Sequence, residues 1–177
     1  MTCILRVLSM SVLLFLLGAR AMAVEIDVYA RETSFDPGTN LLLGKGDVRI
    51  DYEDITIFAD EVTLERDTGE FSARGTVRLV RGEGTWTGDS IDGNIRTNTF
   101  TFPEHKSFLD PWHLTGGASS GTVDGIVPTA DSSVSTCEYL TDGRAHWRLD
   151  AAHLKYSADG HWSARNVVYR IGDIPVM

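Results

Sequence analysis

Apolar and polar residues alternate along residues 41–102 with the two-residue period of a β-strand, which differs from the period of a helix. From Phe71 to Leu79 the odd-numbered positions are apolar or glycine, and the even-numbered positions are polar or charged. Residues 42–52 show the same alternation with the even-numbered positions apolar or glycine. Asp67-Thr68-Gly69 separates two such runs, and a short connection with glycine is typical of a β-hairpin. The sequence therefore predicts antiparallel strands with one apolar face.

This strand-turn-strand pattern occurs twice between Gly46 and Phe102, with matching residues 29 positions apart. The matching pairs are Gly46 and Gly75, Val48 and Val77, Ile50 and Leu79, Asp60 and Asp89, Val62 and Ile91, Thr68 and Thr97, and Phe71 and Phe100. A weaker copy precedes them, and residues 151–168 repeat residues 59–77 with one deletion. A fixed period indicates stacked units, because a two-strand unit cannot bury its apolar face alone.

The alternation is interrupted at three places that predict bends. Gly46 and Gly75 lie in mid-strand on the apolar face, where glycine is typical of a bulge. At Ala59 and Asp60 the apolar positions change parity, as in a strand that bends from one sheet into a second. We therefore predict an all-β sandwich of bent antiparallel strands.

The alternation weakens between Pro103 and Thr136, where Gly, Ser, Pro and Asp are frequent. We predict looser strands there, and a long loop from about Gly116 to Thr136. Alternation returns at Trp147, and Asp159-Gly160 is predicted to be the turn of a last hairpin.

Residues 1–23 have the pattern of a cleaved secretory signal: Arg6, an apolar run from Val7 to Leu17, and Ala21-Met22-Ala23 as the cleavage motif. The run is shorter than the roughly 20 apolar residues of a membrane-spanning helix. We therefore expect an exported domain of 154 residues (177 minus 23), spanning 24–177, with a loop-rich part at 103–136.

The charge of the chain argues against nucleic acid as a partner. Removal of the signal takes away Arg6 and Arg20 and no acidic residue, so the formal net charge moves from −9 to −11. Binding to nucleic acid needs a basic patch, and Lys and Arg form no cluster in this sequence. We predict no nucleic-acid partner.

The sequence offers no catalytic residue, metal site or cofactor site. Residues 117–121 match G-x-S-x-G around Ser119, but a nucleophile elbow is followed by a helix, and the residues after Gly121 do not form one. His146, His153 and His161 are spaced 7 and 8 apart, which is unlike the compact spacings of zinc sites.

The apolar face itself has two interpretations. It can close as an ordinary core, or the two sheets can splay apart into a trough that shields acyl chains from water. Removal of apolar surface from water is favourable by about 25 cal/mol per Å². A closed core would suit a structural or adhesive exported β-repeat protein without a lipid ligand. An enzyme with a dispersed site is a further alternative, and would show polar residues converging inside the trough.

Residues 58–79 resemble the repeat of the OstA-like family of lipopolysaccharide transport proteins. Ala59-Asp60 begins an apolar strand, Thr68-Gly69 forms the turn, and residues 73–77 give the A-x-G-x-V strand of that repeat. The closing part, from Cys137 through Trp147-Arg148-Leu149 to Ile174-Pro175-Val176, is similar to the LptD branch of the family just before its barrel begins. The resemblance covers roughly residues 26–102 and 137–177.

The resemblance implies a two-sheet bent antiparallel β-jellyroll like that of the bridge protein LptA, with a repeat of about 29 residues and no enzymatic activity. It implies that lipid A acyl chains lie in the trough during transport to, and assembly in, the outer membrane, and that the protein is periplasmic and associated with that membrane. The implied partners are lipopolysaccharide, other OstA-like jellyrolls joined by edge-strand pairing, and an outer-membrane β-barrel that would begin where this chain ends.

The resemblance also implies roles for particular residues. As the only cysteine after removal of the signal, Cys137 either stays free or pairs with a thiol outside this segment. The resemblance implies an interdomain or intermolecular disulfide, because Cys137 lies where the LptD branch has a cysteine near the end of its soluble domain that bonds to the barrel. Cys3 leaves with the signal, and the second N-terminal cysteine typical of the LptD branch is missing. The predicted lipid contacts are the inward-facing residues Val48, Ile50, Tyr52, Val62, Leu64, Phe71, Val77, Leu79, Ile91, Phe100, Trp147, Leu149 and Trp162.

Overall fold

The computed structural model describes residues 26–122, 127–128, 131–138, 140, 145–156 and 161–176. The predicted signal peptide and the Asp159-Gly160 turn lie outside the described residues. The described part forms these strands: β1 (Asp27–Tyr29), β2 (Glu32–Asp36), β3 (Leu41–Tyr52), β4 (Ile55–Glu65), β5 (Glu70–Arg81), β6 (Gly84–Asn94), β7 (Thr99–Phe102), β8 (His105–Leu109), β9 (Trp112–Gly116), β10 (Ser119–Thr122), β11 (Val127–Pro128), β12 (Ser132–Ser135), β13 (Trp147–Tyr156), β14 (Trp162–Ile171) and β15 (Ile174–Pro175).

The strands belong to one continuous sheet. Its main order is β1-β3-β4-β5-β6-β8-β9-β12-β13-β14-β15, while β2 pairs with β3, β7 pairs with β6 and β10, and β11 pairs with β10. All pairings between the described strands are antiparallel, including β4 with β5 across the predicted turn at Asp67-Thr68-Gly69. The predicted all-β antiparallel fold is confirmed.

The long strands lose register where the sequence predicted bends. The register shifts lie between Lys45 and Val48, between Phe58 and Glu61, and between Arg74 and Val77. Because β3, β4, β5 and β6 are neighbours in the sheet, these shifts form a line across it. The predicted irregularities at Gly46, Gly75 and Ala59-Asp60 all lie on this line.

Gly75 shows why the line contains glycine. Its φ of 93° belongs to the left-handed region, which side chains rarely adopt. A Cβ atom at this position would lie 2.2 Å from Asp60 Oδ2. That carboxylate accepts a hydrogen bond from the Thr76 backbone N–H at 2.9 Å. The bend therefore depends on a glycine that lets two strands approach.

The line of bends divides the sheet into two layers that pack face to face. The first layer contains β2, β7, β10, β11 and residues 41–45, 61–65, 70–74 and 90–94 of the long strands. The second layer contains β1, β8, β9, β12 and the other halves of the long strands. Leu64 and Phe71 of the first layer share one buried cluster with Ile50 and Leu79 of the second. We call this cluster the main core.

The C-terminal hairpin is irregular at the corresponding point, but its register does not shift there. The pairing of β13 with β14 includes Ala151 with Val167 and His153 with Arg165, but skips the intervening Ala152 and Asn166. Asn166 has a φ of 53° and occupies the repeat position of Gly75. The hairpin thus has an irregularity at the position that the repeat predicts, without the register shift of the earlier units.

A smaller cluster, which we call the second core, lies under the C-terminal strands. Leu114, Val134, Ala151 and Leu154 are buried in it, and Leu109, Trp112, Leu149 and Trp162 pack against it. The Trp112 and Trp162 ring centroids are 5.9 Å apart. The interior thus contains two apolar clusters.

The segment predicted as a long loop, 116–136, instead contains β10, β11 and β12. Its strands are rich in Ser, Thr and Gly, and two of their buried positions are Ser119 and Ser132, so they lack the apolar alternation that marks a strand in the sequence. Within the described residues, no helix has the length and apolar character needed to span a membrane.

Candidate functional site

The inner face of the second layer is a continuous row of residues paired in register from β3 to β14. The row consists of Ile50, Ile57, Leu79, Trp86, Ser107, Leu114, Val134, Leu149 and Tyr169. All but Ser107 are apolar or aromatic. One face of the sheet therefore connects the main core to the C-terminal strands.

At the N-terminal end of this row the interior is filled by side chains. Leu79 is 0% exposed, and the Phe71 and Phe100 rings meet edge to face with centroids 5.9 Å apart. The structure brings together in the main core ten of the predicted lining residues: Val48, Ile50, Tyr52, Val62, Leu64, Phe71, Val77, Leu79, Ile91 and Phe100. In this state the ten side chains contact one another and are shielded from solvent.

At the C-terminal end the same face becomes accessible. Trp147, Leu149 and Tyr169 are half-buried, while Val167 and Ile171 are 43% and 55% exposed. The Trp147 and Tyr169 ring centroids are 6.3 Å apart. We call these five residues the open edge. The other predicted contact, Trp162, is half-buried against the second core.

Three buried polar residues lie on the inner face near β8. His105 and Ser107 are on β8 in the second layer, and Ser119 is on β10 in the first layer. The Ser119 hydroxyl lies 3.3 Å from Nδ1 of His105, which joins the two layers. We call these three residues the polar seam.

The imidazole of His105 is buried beside an aromatic ring. It is 4% exposed, and its ring centroid is 5.5 Å from that of Phe102. Burial lowers the pKa of His105 below its usual 6.5, and a hydrogen bond to the backbone of Gly117 acts in the opposite direction. Its Nε2 atom has no hydrogen-bond partner among the described residues.

His105 was not predicted from the sequence, and Ser119 was assigned no role. A nucleophile elbow requires a strand followed by a helix, and Ser119 lies on a strand that pairs with β7 and β11. One pattern in the sequence points to His105. It lies two residues before Ser107 at the start of a weakly alternating strand, so both side chains fall on the same face. A polar residue on an apolar face is hard to recognise there, because the neighbouring strands also carry serine on that face.

A groove with a volume of about 800 Å³ runs along the line of bends. The Arg78 guanidinium lies 4.3 Å from the centroid of the Phe58 ring. The charged residues that line the groove carry both signs: Asp47, Asp60, Asp89, Glu104, Arg78 and Lys106.

Ion pairs hold the C-terminal strands together on the outer face. Asp150 accepts hydrogen bonds from Arg148 Nε at 3.0 Å, Arg170 Nε at 2.6 Å and the Ser133 hydroxyl at 2.7 Å. Burial opposes the charged form of Asp150, but these partners more than offset it, so its pKa lies below 3.8. The open edge is therefore supported from behind by a polar network.

Cys137 lies beside the C-terminal strands as a half-buried free thiol. Its Sγ is 3.5 Å from Nδ1 of His146, and its backbone N–H donates to the Ser135 hydroxyl at 2.9 Å. Within the described part of the chain, no group of three or more His, Cys, Asp or Glu residues is arranged to hold a metal ion.

Among curated proteins, the chain is similar in sequence to LPS-assembly proteins. The chain is 28% identical to LptD of Shewanella oneidensis over 134 residues, which covers 74% of this chain and 17% of that protein. It is 28% identical to LptD of Xanthomonas campestris pv. campestris over 135 residues, covering 75% and 16%. It is 25% identical to LptD of Acinetobacter baumannii over 146 residues, covering 81% and 18%. The chain thus spans about a sixth of the length of the relatives it matches, and the predicted resemblance is confirmed.

The chain matches no family model. Among solved structures it is similar to LptH of Pseudomonas aeruginosa, described as the LptA homologous periplasmic component of a lipopolysaccharide transport device, with 12% identity and a TM-score of 0.34 over 84% of this chain and 95% of that chain.

Proposed function

We propose, from the premise that this chain is homologous to the N-terminal region of the LPS-assembly protein LptD, that it is a periplasmic, non-enzymatic module that binds lipopolysaccharide. The acyl chains of lipid A would contact its apolar interior while the lipid moves to the outer membrane. The sugars and phosphates would remain in water.

One observation carries this proposal: the inner face continues in register from the main core to the open edge, where it is exposed. Large exposed apolar patches on a protein surface usually mark a binding site. An acyl chain laid on this face would gain about 0.8 kcal/mol for each CH₂ group removed from water. Trp147 and Leu149 are the predicted lining residues that a chain could contact there without any rearrangement.

The ten lining residues in the main core require a different state. Because they contact one another, they become lipid contacts only if the two layers separate. We therefore propose that acyl chains first bind at the open edge, and reach the main core as the layers part around them.

The proposed partners follow from the family. Edge strands such as β15 carry unpaired backbone groups, which suit pairing with another jellyroll or with a β-barrel domain. Ile174 on β15 is 71% exposed, so this edge is accessible to a partner strand. Cys137 would form its proposed disulfide near this edge.

The filled main core also favours a second candidate function. A structural or adhesive β-repeat protein with a closed core would bury the same ten residues and bind no lipid. The two candidates differ at the open edge, which is a binding surface in the first and has no ligand in the second.

Photocrosslinking to lipopolysaccharide tests the proposal. A photoreactive amino acid is placed at Leu149 or Tyr169 on the inner face, and at Val168 as the matched control. Val168 is also half-buried but belongs to the outer face, where it pairs with Asp150. We expect lipopolysaccharide crosslinks from Leu149 and Tyr169 at least fivefold above those from Val168. Equal yields, or no crosslinks from a folded protein, would favour the closed-core function.

A further inference from the structure

We propose that the polar seam is a subsite for a hydroxyl group carried part-way along an acyl chain. The proposal rests on the proposed function, because the ligand must be an acyl chain in the interior. It goes further by assigning His105, Ser107 and Ser119 to a polar feature of that chain.

The first support is the unpaired Nε2 of His105. A buried polar atom without a partner costs free energy, and such atoms are rare enough in folded proteins to need an explanation. A ligand group that pairs with Nε2 would recover this cost. The contact between Nδ1 and the Ser119 hydroxyl fixes the ring, so Nε2 has a defined direction.

The second support is the charge state of the seam. Burial keeps the imidazole neutral near pH 7, and Ser107 and Ser119 carry no charge. A neutral imidazole nitrogen is a donor or an acceptor according to its tautomer, and a hydroxyl can match either. An anionic group would find no cationic residue among the three, so a hydroxyl fits the seam better than a carboxylate or phosphate.

The third support is the depth of the seam. Four strand spacings separate β14 at the open edge from β8, through β13, β12 and β9. At a spacing of roughly 4.8 Å this is about 19 Å, comparable to the length of an extended fatty acyl chain. A chain whose head group stays at the open edge would bring its distal half to the seam. The hydroxyl should therefore lie far from the head group.

Three fatty acids of equal length test this inference. The purified full chain is titrated with octadecanoic acid, 3-hydroxyoctadecanoic acid and 12-hydroxyoctadecanoic acid, and tryptophan fluorescence gives each Kd. We expect the 12-hydroxy acid to bind about five- to tenfold more tightly than octadecanoic acid, the value of one net hydrogen bond. The 3-hydroxy acid should bind like octadecanoic acid, because its hydroxyl stays near the open edge.

His105→Phe is the matched variant, because it keeps a ring beside Phe102 and removes both nitrogens. We expect this variant to bind octadecanoic acid and 12-hydroxyoctadecanoic acid with equal Kd, so that the preference for the 12-hydroxy acid is lost. A second readout needs no variant: the ¹⁵N resonance of Nε2 should shift with the 12-hydroxy acid and not with octadecanoic acid.

The outcomes separate the two proposals. Equal affinity for all three acids, or a preference that survives His105→Phe, would overturn the subsite and leave the lipid-binding function standing. An unmoved Nε2 resonance at saturating 12-hydroxy acid would do the same. A folded protein that binds none of the acids and forms no lipopolysaccharide crosslinks would overturn both.

Discussion

The main core and the C-terminal hairpin are built from the same repeat, yet one is filled and the other is open on one side. In the main core both layers contribute large side chains, so Leu79 has no exposed surface. At the open edge the inner face carries the same kind of residue, but Ile171 is 55% exposed. The repeat therefore gives the position of the bend, but the residues that face inward after it differ, since Tyr169 lies on the inner row although it aligns with the outward Arg78. Burial depends on whether an opposing layer covers that face.

The largest effect that would sharpen this comparison comes from removing one leucine from each region. We expect Leu79→Ala to lower the free energy of unfolding by about 3 kcal/mol, because it leaves a cavity in the main core. Leu149→Ala, the same change in the same inner row, should cost about 1 kcal/mol, since Leu149 is only half-buried. Urea denaturation measures both. Similar losses would mean that the open edge is covered in solution.

The next effect concerns the two bends. We expect Gly75→Ala to cost about 1–3 kcal/mol, because it strains a positive φ and pushes a Cβ atom towards Asp60. Asn166→Ala should cost about 1 kcal/mol at most, since the repeat has Ala152 at the position of Asp60 and only the backbone strain remains. Thermal unfolding of the two variants is the measurement. A larger loss at Asn166 would contradict the equivalence of the two bends.

These bends illustrate what can be predicted from the sequence. Glycine in mid-strand and a change of parity are local signals, so the irregularities at Gly46, Gly75 and Ala59-Asp60 are recognisable in the sequence alone. The match of Asn166 to Gly75 follows from the repeat. The inward positions of the main core are equally clear, because a period of two assigns every second residue to one face.

Other features depend on contacts that are distant in sequence. The strands β10 and β12 bury serine, so they carry no apolar alternation, and their pairing is decided by β7, β9 and β13. His105 meets Ser119 only because the bend places two layers face to face. Whether the apolar face is filled or open also depends on what lies opposite it, which the period does not encode.

A further expected effect is a pH dependence caused by His105. Its pKa is lowered in the folded state, so below about pH 6.5 the unfolded chain binds a proton that the folded chain does not. Stability should therefore fall as the pH decreases from 7, by at most about 1.4 kcal/mol per pH unit, until the folded pKa is reached. His105→Phe should remove this part of the slope in urea denaturation between pH 7 and pH 5. An unchanged slope would indicate that His105 is hydrated.

Under the proposed lipid-binding function, the single sheet has a mechanical consequence for how an acyl chain enters. Since both layers belong to one hydrogen-bonded sheet, a separation of the layers about the line of bends would leave the ladders between neighbouring strands intact. Such a separation would change the angle between the two halves of each long strand, which Gly46 and Gly75 permit at the line of bends. The strands themselves would stay straight on either side of that line. The work of admitting an acyl chain would then be the loss of contacts between facing side chains, which the chain would replace with contacts of its own.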